Sequence, residues 1–233
     1  MLTSLALCTR AYLDPVWAIP RAVEKRAWVV PLLWLMITAA GSGAAFASRL
    51  DASSQVLPQM AAAGDLAKAS EREVNEEIEQ SQRITLVAGV AKGLVGMPLA
   101  VLLIAIALKL VSWLMGKKAL FGACFTTAAF AMLPIALFYL LSGVIALRQD
   151  VVVPAQAGKL MMSSIQGLFE PGKGRALAAI DFFNLWSAGL LGLGFASSAK
   201  ISAGKGLLLG LFLYVLFAAA VLVGLPGLAG GGK

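Results

Sequence analysis

Five apolar runs, each long enough to cross a bilayer, constrain this chain more than any other feature. About 20 apolar residues span the hydrocarbon core as a helix. The runs extend from about Trp28 to Ser48, Leu86 to Met115, Leu120 to Leu147, Asp181 to Ala199, and Leu207 to Leu225. The second and third exceed the core thickness, so they must tilt or protrude. Of 233 residues, 60% are hydrophobic and 13% charged, against roughly 25% charged in soluble domains. Such a chain has too little polar surface to cover itself in water. The expected fold is an all-α integral membrane protein: a five-helix transmembrane bundle with an extended second helix and short interfacial helices. Three regions follow: a cytoplasmic amphipathic segment (1–27), a membrane domain (28–225) and a Gly-rich tail (226–233).

The segment before the first run is too long and too mixed for a signal n-region. Leu5-Ala6-Leu7-Cys8 lacks the basic start and apolar run of a lipoprotein signal.

The absence of histidine removes histidine zinc sites, Ser-His-Asp and Cys-His nucleophile systems and histidine haem ligation. Cys8 and Cys124 form no CxxC. No Gly-x-Ser-x-Gly, HExxH or pair of acids inside a span occurs. Ser112 and Lys109 stand three apart on one helix, but nothing activates the serine. Gly172-Lys173-Gly174 lacks the rest of a phosphate-loop pattern. No enzyme activity and no cofactor are expected.

The net charge is +7, and it is placed by topology rather than by nucleic acid. The N-terminal segment, the Lys117-Lys118 turn with nearby Lys109, and the Lys200–Lys205 loop hold nine basic and two acidic residues; the remainder holds ten of each. Short loops decide orientation, which puts the N-terminus in the cytoplasm and the C-terminus outside. The outer loops differ. Residues 70–84, SEREVNEEIEQSQRI, lack Gly and Pro, and Val74, Ile78 and Ser81 share a face, so the second helix starts outside the membrane and runs inward through Gly89 and Gly93. Residues 158–169 have the pattern of a surface-lying helix, and the tail from Pro226 is expected to be disordered.

Charges in or beside spans are costly unless solvated or paired. Lys92 and Lys109 have stems that reach the nearer interface. Asp181 opens the fourth helix and suits an N-cap. Gly89/Gly93 and Gly206/Gly210 form GxxxG pairs that allow close helix approach, within the bundle or between copies.

Three local patterns together resemble the bacterial branch of the Yip family, multi-pass proteins named for interacting with Ypt/Rab GTPases. The first is Leu13-Asp14-Pro15-Val16-Trp17-Ala18-Ile19, followed by a basic stretch and Trp28-Val29-Val30-Pro31. The second is Ile180-Asp181-Phe182-Phe183-Asn184-Leu185-Trp186, similar to the family's aspartate-aromatic-tryptophan opening of the fourth span. The third runs from Gly192-Leu193-Gly194 to Ser197, Lys200, Ser202 and Lys205. The resemblance implies a five-span protein with a cytoplasmic N-terminus. The Asp-Leu-Tyr-Gly-Pro motif of eukaryotic relatives has no counterpart here, so no residue is assigned to a GTPase.

The reading is a non-enzymatic protein of the bacterial inner membrane that scaffolds partners or organises the bilayer. Its candidate lipid or partner contacts are Trp17, Arg21, Lys25, Arg26, Lys117, Lys118, Lys200 and Lys205. Asp14, Pro15, Asp181, Asn184 and Trp186 are candidate motif and structural residues. Expected partners are anionic lipids, an unidentified membrane or cytoplasmic protein, and a second copy of the chain. The competing reading is a small-solute permease or channel subunit using Lys92, Asp181 and Asn184.

Overall fold

A computed structural model describes residues 2–153 and 181–222. The expectations for residues 158–169 and 226–233 lie outside the described residues. The chain is an all-α membrane protein. Among the described residues three helical stretches are long and apolar enough to cross a bilayer: Val29–Arg49, Glu71–Leu114 and Phe121–Arg148. Ala203–Ala219 is a shorter apolar stretch.

The fold divides into two compact units, one of Met1–Leu35, Pro98–Ala136 and Met162–Lys233, the other of Met36–Met97 and Leu137–Met161.

The first unit opens with two helices, α1 (Leu2–Leu13) and α2 (Pro15–Lys25). Asp14 separates them. Its carboxylate accepts the Trp17 backbone N–H at 3.2 Å, and Pro15 sits at the first helical position, where a missing N–H costs nothing. An amphipathic segment of this kind can lie on a membrane surface by its apolar face. The structure places that face differently: Ala18, Ile19, Ala22 and Val23 are buried within the protein, in a cluster with Leu7, Cys8 and Ala11 of α1 and with Phe130 and Leu133. Small side chains allow this close fit, and the outer face of α2, with Arg21, Glu24 and Lys25, is left exposed together with Val16.

The third apolar run is interrupted at Met132, between α7 (Phe121–Ala131) and α8 (Leu133–Arg148). Pro134 is the cause. It has no N–H for the Phe130 carbonyl and its ring crowds that oxygen. α6 (Met97–Leu114) precedes this pair. Towards its end Lys109 donates from Nζ to the Ala119 carbonyl at 2.7 Å. The Ser112 hydroxyl donates to the Lys117 carbonyl and accepts the Ala119 N–H, both at 3.1 Å. Gly116, with φ of 67°, makes the reversal. Lys109 thus reaches out of the helix to a loop carbonyl, as its long stem allows.

Two further described helices belong to this unit, α9 (Phe182–Ala199) and α10 (Ala203–Leu222). They pack backbone to backbone. A methyl group on Gly192 would lie 2.6 Å from the Gly206 carbonyl oxygen, and one on Gly206 would lie 2.6 Å from Ala196 Cβ. The Gly206/Gly210 pair therefore serves packing within the chain.

The second unit holds α4 (Ser53–Ala63), α5 (Glu71–Ala91) and the adjoining parts of α3 (Val29–Arg49) and α8. α5 starts with a reciprocal capping box: Ser70 Oγ accepts the Glu73 N–H at 3.3 Å, and Glu73 Oε2 accepts the Ser70 N–H at 2.7 Å. The helix starts ahead of the apolar run, as expected, and continues through Gly89 with one irregularity. Lys92–Gly96 is a π-helical turn joining α5 to α6. Pro98, two residues on, cannot bond to Leu94 and would clash with its carbonyl in a regular helix; the wider turn before it accommodates that. Here too the glycines meet backbone. A methyl on Gly43 would stand 2.6 Å from the Gly89 carbonyl carbon, and one on Gly93 would stand 2.6 Å from Ala40 Cα.

Candidate functional site

The outer face of the α1–α2 hairpin carries the most organised group of charges in the first unit. Trp17, Arg21 and Lys25 repeat every four residues and form one stripe of α2. The Arg21 guanidinium carbon lies 4.1 Å from the Trp17 ring centre, and its Nη1 donates to the Trp17 carbonyl at 2.9 Å. Arg10 of α1 brings a second guanidinium to 3.8 Å from the same ring. Its Nη2 stands 3.9 Å from the Asp14 carboxylate, with both side chains about half exposed. Arg10 was missed by sequence reading because it lies upstream of the Leu13-Asp14-Pro15 pattern; its signal was helical, seven residues before Trp17 across the turn.

The remaining candidate contacts are exposed basic residues of the same unit. Arg26 closes α2 in the left-handed conformation, φ 51°. A methyl on Gly122 would lie 3.3 Å from Arg26 Cδ, so the end of α2 meets the start of α7. Lys117 and Lys118 sit in the turn just before α7. Lys200 closes α9, also left-handed with φ 53°, and Lys205 follows in the first turn of α10. α7 and α9 are antiparallel: Thr127 meets Gly194 and bonds Ser198 at 2.9 Å, while Tyr12 touches both Leu133 and Trp186. The C-terminus of α9, with Lys200, therefore lies towards the same end as the start of α7.

The two aspartate motifs are joined through a residue the sequence reading also passed over. Asp181, 8% exposed, caps α9 by accepting from the N–H groups of Phe183 at 2.9 Å and Asn184 at 3.0 Å. Trp186 packs edge-on against Tyr12 with ring centres 5.8 Å apart. Tyr12 in turn donates from its hydroxyl to the Leu133 carbonyl at 2.9 Å. Burial raises the Tyr12 pKa, so the phenol stays a donor. Asp14-Pro15 and Asp181–Trp186 thus work as caps and packing anchors on either side of Tyr12.

Burial pushes the Cys8 thiol up to about 12, which keeps it protonated and a poor nucleophile. Among the described residues no group of three His, Cys, Asp or Glu side chains is close enough to hold a metal ion. Of the residues named for a solute path, Asp181 is committed to the α9 backbone. Lys92, in the second unit, is exposed with its Nζ 5.8 Å from the Tyr139 ring centre. Open grooves in the second unit run beside α5, one lined by Val56, Met60, Glu77 and Ile84.

A family model described as Yip1 domain matches residues 10–225. No curated protein and no solved structure matches the chain.

Proposed function

The chain belongs to the Yip family, and from that premise we propose that it is a non-enzymatic scaffold or bilayer organiser. It crosses a bacterial inner membrane five times, with α9 and α10 as the fourth and fifth spans, the N-terminus in the cytoplasm and the C-terminus outside. It acts through its cytoplasmic face, where basic residues contact anionic lipid and a partner protein.

One observation carries the reading. Among the described residues only Arg26 and Lys200 combine a side chain with positive φ, and both are exposed basic residues ending helices of one unit. Glycine would fill such positions without the steric cost. A cation there suits the helix dipole, and it also adds charge to the face that presents Lys117, Lys118 and Lys205. Strain kept at a site is a pointer to use.

The test is gentle affinity purification from native membranes, with co-purifying proteins and lipids identified by mass spectrometry. A near-stoichiometric protein or enriched anionic lipid, lost when Lys117, Lys118, Lys200 and Lys205 are changed to Gln, supports the reading. Recovery of bulk lipid alone, unchanged by those substitutions, overturns it.

A further inference from the structure

We propose that Arg10 and Arg21, gathered on Trp17, hold the phosphate of an anionic membrane lipid, with Leu13 and Val16 entering the acyl layer beside it. The inference rests on the lipid-contact reading and places one lipid at one site.

The geometry leaves donors for a ligand. Each guanidinium has five N–H groups in a planar fork that matches phosphate oxygens. Arg21 uses one on the Trp17 carbonyl. Arg10 faces the Asp14 carboxylate at 3.9 Å, with both side chains half exposed. Both groups lie over the indole, 3.8 and 4.1 Å from its ring centre, and both arginines are exposed. Lys25 continues the stripe, and Asp14 and Glu24 are the acids nearby.

What identifies a lipid, rather than free phosphate or an acidic peptide, is the neighbouring apolar surface. Leu13 at the hairpin tip is 89% exposed and Val16 is 68% exposed. The inner face of α2 is already buried in protein, so these two side chains are not remnants of an unpacked helix. Apolar tips below a cationic rim, with an indole at the boundary, match a headgroup interface.

The experiment uses the full chain, purified in detergent and stripped of lipid, with phosphatidylglycerol binding followed by native mass spectrometry. R10Q/R21Q is expected to weaken binding about thirtyfold. L13S/V16S, which alters only exposed side chains, is expected to weaken it with an unchanged melting temperature. Phosphatidylcholine and inorganic phosphate are expected to compete poorly. Unchanged phosphatidylglycerol binding in either variant overturns the proposal, as does displacement by equimolar inorganic phosphate. If R10Q/R21Q has no effect while K117Q/K118Q/K200Q/K205Q lowers binding, this site is wrong and the wider lipid-contact reading stands. If neither set lowers it, both fail.

Discussion

The Tyr12 hydroxyl donates to the main-chain oxygen of Leu133 across 2.9 Å, fastening the N-terminal hairpin to the start of α8. A part-buried bond of this kind contributes about 1 kcal/mol. Tyr12→Phe keeps the edge-on contact with Trp186 and loses the hydroxyl's hydrogen bonds, to Leu133 and with the Trp34 side chain. The expected result is a lower melting temperature in detergent, equivalent to about 1 kcal/mol, and faster tryptic cleavage after Arg21 and Lys25. Equal melting and cleavage would show that the ring alone holds the hairpin.

Gly93 has no room for a side chain, because a methyl would stand 2.6 Å from Ala40 Cα. Gly93→Val should cost about 3 kcal/mol or more, since backbone rather than a flexible side chain must move. Gly41 is on the same α3 with nothing within 4 Å of an added methyl. Gly41→Ala should be neutral or stabilising by up to about 1 kcal/mol through helix propensity. Denaturation midpoints of the two variants in one detergent decide the matter.

Glu73 is held below the usual carboxylate range by the Ser70 backbone N–H, then by the Ser70 hydroxyl. A folded pKa below the unfolded one means that the stabilisation is present above the unfolded value, near 4.5. It is lost as pH falls through the folded value. Amide exchange at residues 70–75 is therefore expected to become less protected on going from neutral pH to pH about 3, after correction for intrinsic rates. Glu73→Gln keeps the reciprocal bonds without the titration, so its protection should vary less with pH. Equal pH dependence in both chains would remove Glu73 as the cause.

Lys200 occupies the left-handed region at φ 53°. Lys200→Gly relieves that conformation and should raise stability by about 1 kcal/mol. The same change removes one cation from the contact face and should lower retention of anionic lipid. A variant that melts higher and binds less would show stability traded for contact. Unchanged lipid retention would leave Lys200 as a helix cap alone.

How much could be read beforehand depended on side-chain size. α3 and α6 follow from long apolar runs, the first part of α5 from a polar stretch without Gly or Pro, and the cap at Asp181 from a short polar side chain before a helix; the caps at Asp14 and Ser70 were not read. α1 was hidden because it is only 12 residues long, too short to read as a span, and its buried face is just Leu7, Cys8 and Ala11. α4 was also missed, although Asp51 at its start and Gly64, with φ of 77°, at its end are ordinary helix limits. The Met132 break and the π turn each trace to a proline, Pro134 and Pro98, which a hydropathy reading passes over. Of the site, the basic residues were legible singly. The meeting of Arg10 with Trp17 and of Tyr12 with Trp186 was not, because each requires the turn at Asp14 to close.

The crossing of Gly43 with Gly89 puts main chain directly on main chain. Such a contact contains no rotamers, so forming it freezes no side-chain motion. It also cannot loosen by repacking: it is either seated or separated. The second unit is therefore held here by backbone shape alone, and any side chain added at either glycine acts on the main chain itself.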